Sequence, residues 1–437
     1  MKTLGIYLHI PFCMRKCKYC DFLSFDNCTD KMKERYKDAL LREITFAAEN
    51  LSCGKEADNN GEETYIVDTV FIGGGTPSLL PEEYIAEIVE SVKNKFNTSI
   101  NAEITIEVNP GTVDAEKLEI YRKAGINRLS IGVQSLNDEC LKKLGRIHTA
   151  EEFKKTYFAA REVGFDNISM DLMFAIPGQD EAIWEATVRE AISLKPDHIS
   201  FYSLQLEEGT EFFEMYRKGT LIIADDESDR RMYHNAVKLL KEAGYKHYEI
   251  SNAALPGRES RHNMKYWTFD DYLGLGLGAS SFIHGRRIVN TDDFEGYIES
   301  FEKGAVPENC KALVLLENET DCTAYNLKQK NESVVLNSEA DSVFEYIFTG
   351  LRRLDGINLN DFEKRFGRSL YDYYPHKREY IEKMVADGYM FVTSSEVQCD
   401  ADGNGNNKLS EEVRLGLTLK GIDISNGIMS EFAEPEI

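Results

Sequence analysis

Short apolar segments rich in β-branched residues alternate with longer amphipathic runs through the first half of the chain. Segments 4–10, 67–72, 102–108, 128–133, 167–174 and 198–204 read as strands, and runs 31–49, 81–96, 150–163 and 180–194 carry helical periodicity. Strands separated by helices in this way form repeated βα units around a parallel sheet, which predicts an α/β fold closed into a barrel or partial barrel. The polar stretch 52–64 breaks the first unit, and its Gly, Asn, Asp and Glu content marks a surface loop without chemistry.

Beyond the sixth strand the pattern predicts a helix over 226–243, a strand over 247–250 and a glycine-dense segment over 273–279, and it changes near Asn290. Helical runs at 343–353, 359–366 and 377–387 then precede two strand-like segments, 389–393 and 413–419, an order that predicts a winged-helix-like arrangement. The expected division is a barrel domain with its extension over 1–290 and a mainly helical packing or partner domain over 291–437.

Composition then narrows the function. At 437 residues the chain can bury a large core, and its formal charge of -24 argues against broad binding to nucleic acid or anionic membrane. No apolar run reaches the roughly 18 residues of a membrane span, and Met1-Lys2-Thr3 leads straight into a strand, so a cytoplasmic location is expected. Nine cysteines, an odd number, point to reduced thiols, with clustered ones serving as metal ligands or catalytic groups. Cys53, Cys140, Cys310 and Cys322 stand alone and read as buried or incidental thiols.

The clustered thiols are Cys13, Cys17 and Cys20. A four-iron cluster normally takes four thiolates and structural zinc four protein ligands, so three cysteines form either an incomplete site or one left open to a small molecule. Other strand ends supply what such a molecule needs, since chemistry in β/α barrels gathers at the carboxyl end of the sheet. Gly73-Gly74-Gly75-Thr76-Pro77 follows strand two, Glu107-Val108-Asn109-Pro110 closes strand three, Gln134-Ser135 ends strand four and Asp171 lies on strand five. The glycines lack the G-x-G-x-x-G spacing of a dinucleotide site, and they bring bare backbone close to a ligand. Glu107 can pair with an ammonium group, Arg146 with a carboxylate and Asp171 with ribose hydroxyls, which together match the handles of S-adenosylmethionine.

These residues resemble the radical S-adenosylmethionine superfamily, whose core is a six-unit (β/α)6 partial barrel. More closely, Tyr7-x-His9-Ile10-Pro11-Phe12-Cys13, the stretches 73–78 and 107–110, Gly132-Val133-Gln134-Ser135, and Asp171-Leu172 with Pro177-Gly178-Gln179 resemble the oxygen-independent coproporphyrinogen III oxidase family. The likeness extends into the C-terminal domain. It implies that Cys13, Cys17 and Cys20 each bind one iron of a [4Fe-4S] cluster, whose fourth iron chelates the amino and carboxylate groups of S-adenosylmethionine. It also implies that Tyr7, Tyr19, Gly74, Gly75, Thr76, Glu107, Gln134, Arg146 and Asp171 contact that cofactor. In the family, one electron from the reduced cluster cleaves the sulfonium bond and yields a 5′-deoxyadenosyl radical.

Two departures divide the family. The true oxidases carry a further cysteine two positions after the third cluster cysteine, where this chain has Phe22. The second is His262-Asn263-Met264-Lys265-Tyr266-Trp267, which resembles the H-N-x-x-Y-W motif of the family's HemW-type heme chaperones. Taken alone, His262 is more often a core or surface histidine than a ligand, and Tyr266 and Trp267 are more often packing aromatics. The resemblance assigns His262, Asn263, Tyr266 and Trp267 to heme contact, and His9 beside the cluster loop is a second histidine to test. Cys28 has no companion motif that makes it a cluster ligand. Asp400 to Glu411 satisfies the calcium-loop pattern on paper, but strand-like flanks make it a hairpin tip.

The expected function is a heme chaperone that binds a [4Fe-4S] cluster, S-adenosylmethionine and heme and passes heme to an apo-hemoprotein of respiration. The rival is an enzyme that decarboxylates two propionates of coproporphyrinogen III to vinyl groups, and a bland third is a zinc-stabilised barrel. The sequence leaves open the heme iron ligand, the acceptor and whether the protein forms a homodimer.

Overall fold

The computed structural model describes residues 2–51, 65–302, 333–399 and 408–435. The expected loop 52–64, the isolated Cys53, Cys310 and Cys322 and the tip 400–405 lie outside them. By contacts the described chain forms two compact units: Met1–Lys246, Ala253–His262 and Asp270–Leu336 make the first, and His247–Asn252, Asn263–Phe269 and Asn337–Ile437 the second. The first unit therefore runs past the change of pattern at Asn290.

The six expected strands form, each within a few residues of its sequence limits: β1 (Lys2–Ile10), β2 (Tyr65–Gly74), β3 (Thr98–Val108), β4 (Arg128–Gln134), β5 (Ile168–Phe174) and β6 (His198–Ser203). They pair in chain order, all parallel, as the expected partial barrel requires. The short β7 (Lys246–Glu249) and β8 (Asn252–Ala254) follow. The glycine-dense segment is a strand, β9 (Tyr272–Leu275), which lies parallel to β1 on its open side. There β10 (Ser280–Ile283), β11 (Arg286–Val289) and β12 (Ser333–Leu336) extend the sheet antiparallel.

Two-residue alternation divides the labour of each barrel strand. On β1 the buried set Leu4, Ile6, Leu8 and Ile10 has no exposed surface, and the opposite face carries Tyr7 and His9. On β2 and β3 that second face carries Thr69, Phe71 and Gly73 and then Glu103, Thr105 and Glu107. Parallel register places Tyr7 beside Phe71, His9 beside Gly73 and Thr69 beside Glu103, so the inner side chains stack in layers from a lower floor up to the carboxyl ends.

In the second unit, β13 (Ile357–Asn358), β14 (Met390–Cys399) and β15 (Lys408–Leu417) make an antiparallel sheet in the order β13-β15-β14. The strands flanking the paper calcium loop thus pair as a hairpin, Cys399 opposite Lys408. Helices Glu339–Gly350, Leu359–Phe366 and Lys377–Ala386 complete the helical, winged-helix-like unit. Its core is aromatic, with Phe362 set 4.9 Å from Phe366 and 5.7 Å from Tyr346.

Candidate functional site

The cysteine loop leaves the top of β1 and is tied down by backbone from distant parts of the chain. Phe25 N donates to Pro11 O and Cys13 N to Phe25 O, both at 2.8 Å, which closes the loop at its base. Its middle is held from both sides: Lys18 N donates to Leu144 O at 3.1 Å and Lys18 O accepts from Phe212 N at 2.9 Å. The Tyr19 ring packs on the apolar group of Cys140, Leu144, Met173, Ile176 and Phe212. Helix Asp138–Leu144 stops at Gly145, whose left-handed φ of +79° turns the chain so that Arg146 faces the site.

All three loop cysteines line one cavity of about 750 Å³ that opens to solvent, together with residues from the ends of β2, β3, β4, β5 and β6. No three His, Cys, Asp or Glu side chains among the described residues converge on a single ion position; the thiols share a wall of the cavity instead. Thr76 Oγ1 donates to Cys13 Sγ and Arg146 Nη1 to Cys17 Sγ, each at 3.7 Å. Burial pushes the Cys13 thiol up and the Cys20 thiol up to about 11, so an electropositive centre is needed to hold them as thiolates.

The glycine run has a reason that spacing alone does not reveal. A Cβ on Gly74 would stand 2.6 Å from the His9 ring, at a φ of +112°, and one on Gly75 would stand 2.7 Å from Phe12 O. The bare backbone is thus required by the protein's own chain at the approach to the cysteine loop. Gly75 N donates to Ile10 O at 2.9 Å and Thr76 N to Phe12 O at 2.7 Å, clamping the turn to that approach.

Opposite charges stand around the cavity at fixed heights. Glu107 accepts from Gly74 N at 3.1 Å, and burial, with Asp171 nearby, pushes its carboxyl up to about 8. Asp171 accepts from Ser130 Oγ at 3.2 and 3.1 Å, and burial raises it as well. Arg146 donates to Asn109 Oδ1 at 2.7 Å and to the Gly132 carbonyl, while its buried Nε has no acceptor among the described residues. Gln134 adopts a φ of +64° and accepts from Tyr202 at 2.7 Å. Asn109, Ser130 and Tyr202 carried no assignment from the sequence; their signal was their place at or near strand ends, with Asn109 inside an Asn-Pro turn.

The remaining candidates divide. Tyr7 lies one layer below the cavity, its hydroxyl 3.0 Å from His9 Nδ1, and His9 Nε2 reaches Leu23 O at 2.9 Å. Cys28 sits outside the cavity, with its thiol 3.4 Å from Phe25 O. His262 is 1 % exposed: it opens helix Arg261–Trp267, its Nδ1 is 2.9 Å from Thr69 Oγ1, and its ring stacks on Phe71 at 5.4 Å. Asn263, Tyr266 and Trp267 belong to the second unit, where the Arg352 guanidinium lies 4.7 Å over the Trp267 ring. His262 is not among the residues that line the cavity.

An open parallel partial barrel with three thiols, a glycine turn, two acids and an arginine at its carboxyl rim defines a radical S-adenosylmethionine protein. Residues 7–191 match the radical SAM superfamily and residues 337–403 the HemN C-terminal domain. The chain is 35% identical to the heme chaperone HemW of Bacillus subtilis over 84% of this chain and 88% of that one. It is 30% identical to the heme chaperone HemW of Lactococcus lactis over 100% and 99%. The chain belongs to the HemW heme chaperone family. Its fold is that of Escherichia coli coproporphyrinogen III oxidase HemN, with a TM-score of 0.75, 20% identity and coverage of 99% and 90%.

Proposed function

We propose that this protein holds a [4Fe-4S] cluster on Cys13, Cys17 and Cys20, binds S-adenosylmethionine beside it, and carries heme to an apo-hemoprotein of respiration from a cytoplasmic location. The observation that carries the cofactor reading is the convergence of the three thiols with Glu107, Arg146 and Asp171 on one cavity. The donor set fits: soft thiols suit iron, the orphaned Arg146 Nε is a donor awaiting an acceptor, and the paired acids suit a cationic, hydroxyl-bearing cofactor. Glu107 and Arg146 would hold the amino-acid end and Asp171 the ribose. When bound, such a cluster would supply one-electron chemistry, and Tyr19, packed on its apolar neighbours, and the loop backbone would shield it from water.

Heme transfer rests on membership of a family whose named relatives are heme chaperones. Phe22 lines the cavity where the porphyrinogen oxidases carry a cysteine, which favours transfer over decarboxylation. No described helix is long and apolar enough to cross a membrane. Anaerobic reconstitution tests the cluster: about four irons per chain are expected, lost in Cys17→Ala. Zinc without iron would overturn that part, and protoporphyrinogen made from coproporphyrinogen III would overturn transfer as the sole role.

A further inference from the structure

Beneath the cavity, four groups form a continuous path through the inner layers of the barrel. The His262 ring stacks on Phe71 at 5.4 Å and 29°, and Phe71 stacks on Tyr7 at 6.3 Å and 27°. The Tyr7 hydroxyl meets His9 Nδ1 at 3.0 Å, and His9 Nε2 meets the Leu23 carbonyl at 2.9 Å, just past the third cluster cysteine. A carbonyl only accepts, so Nε2 carries the proton, Nδ1 accepts from Tyr7, and the His9 ring is locked in one tautomer.

Each end of this path is fixed. At the lower end, the Glu103 carboxylate accepts from the backbone N–H groups of Arg261 at 3.3 Å and His262 at 3.2 Å, and Thr69 Oγ1 meets His262 Nδ1. The upper end is the His9 bond to Leu23 O, and between the two ends the Phe71 ring fills the space a Cβ on Gly73 would enter, 2.9 Å away, with Glu107 Cδ 3.1 Å from the same point. The ring therefore bears on the turn that holds the acid of the cofactor cavity. An imidazole that is 1 % exposed, stacked and hydrogen-bonded presents no free face to a planar iron macrocycle.

We propose that His262 is a positioning residue for the S-adenosylmethionine cavity, acting through Phe71 on the glycine turn and through Tyr7 and His9 on the cysteine loop, and is not the axial ligand of heme. This rests on the reading that the cavity holds S-adenosylmethionine. The Arg261–Trp267 helix thereby joins two tasks: its first turn sets the floor beneath the cofactor, and its later residues belong to the other unit. Removing the ring leaves space into which Phe71 tilts, and the turn and loop lose their shared support.

Equilibrium dialysis of S-adenosylmethionine against the reconstituted protein tests this. His262→Gln and Phe71→Leu should each weaken binding by about tenfold, and the double variant should be no weaker than either alone, because one path is cut twice. Thr69→Val, which removes only the Nδ1 partner, should weaken binding in the same direction and serves if the larger changes disturb folding. In a heme titration of the same proteins, His262→Gln should keep the wild-type Soret maximum. Unchanged S-adenosylmethionine binding in all four variants would overturn the proposal while leaving the cavity's assignment intact. A shifted Soret maximum in His262→Gln with normal S-adenosylmethionine binding would make the histidine a heme ligand. Wild-type protein that binds no S-adenosylmethionine would overturn the assignment of the cavity, and the proposal with it.

Discussion

Replacing Gly75 by alanine adds one methyl group at the point where the glycine turn touches the approach to the cysteine loop. Its φ is ordinary, so the effect is steric and not conformational. The new Cβ would stand 2.7 Å from Phe12 O, and ordinary contact begins at 3.4 Å, so the two backbones must part by about 0.7 Å. That displacement breaks or strains two bonds, Gly75 N to Ile10 O and Thr76 N to Phe12 O. Two backbone hydrogen bonds at about 1 kcal/mol each, with roughly 1–3 kcal/mol for overpacking, give an expected loss of about 3–5 kcal/mol. Because Cys13 directly follows Phe12, iron retention should fall too. Urea unfolding of the cluster-free protein reads the first quantity, and iron per chain after reconstitution and desalting reads the second. Gly111→Ala is the control: it has a φ of +80° and nothing within 4 Å, so it should cost only about 1–2 kcal/mol and leave iron unchanged. Gly75→Ala that matches wild type in both measurements would refute the clamp.

Three more outcomes follow from groups in and around the site. Glu107 rises from 4.5 to about 8 on folding, so the unfolded carboxyl loses its proton first; ligand-free stability should decline between those pH values, and Glu107→Gln should remove about 1–3 kcal/mol of that decline at pH 8 while abolishing S-adenosylmethionine binding, as thermal melts and dialysis would show. His148 falls from 6.5 to about 4 by burial and the nearby Arg146, so stability should drop by about 2–3 kcal/mol as pH falls from 6.5 to 4, a slope that His148→Gln should flatten in acid titrations followed by circular dichroism. Tyr202→Phe removes the donor to Gln134 and should weaken S-adenosylmethionine binding by about three- to tenfold without changing iron content, and equal affinity would sever Tyr202 from the site.

The barrel was legible because its strands are short, apolar and separated by helices with clean periodicity. Segment 128–133 was placed to within one residue of β4. The extension was not: Leu273-Gly274-Leu275 lies in a glycine-dense run that reads as a turn, and pairing with β1 and β10 makes it a strand. The sequence singled out the three cysteines and Glu107 by their places at or after strand ends and Asp171 by its place on the fifth strand, and these side chains share one cavity. The role of Gly74 and Gly75 could not, because the groups they avoid, the His9 ring and Phe12 O, are distant in sequence. His262 shows the same limit from the other side: a motif names a residue, but only the fold shows that Phe71 and Thr69 surround it.

The double anchoring of Lys18 has a consequence for biogenesis. The carbonyl and amide that hold the centre of the cysteine loop belong to Leu144 and Phe212, both far away in sequence. Until the segments that carry Leu144 and Phe212 have folded against it, the middle of the loop lacks both anchors, although Phe25 closes its base. For the proposed cluster, loading is therefore favoured once the sixth strand and the segment after it are in place and the loop has its fixed shape.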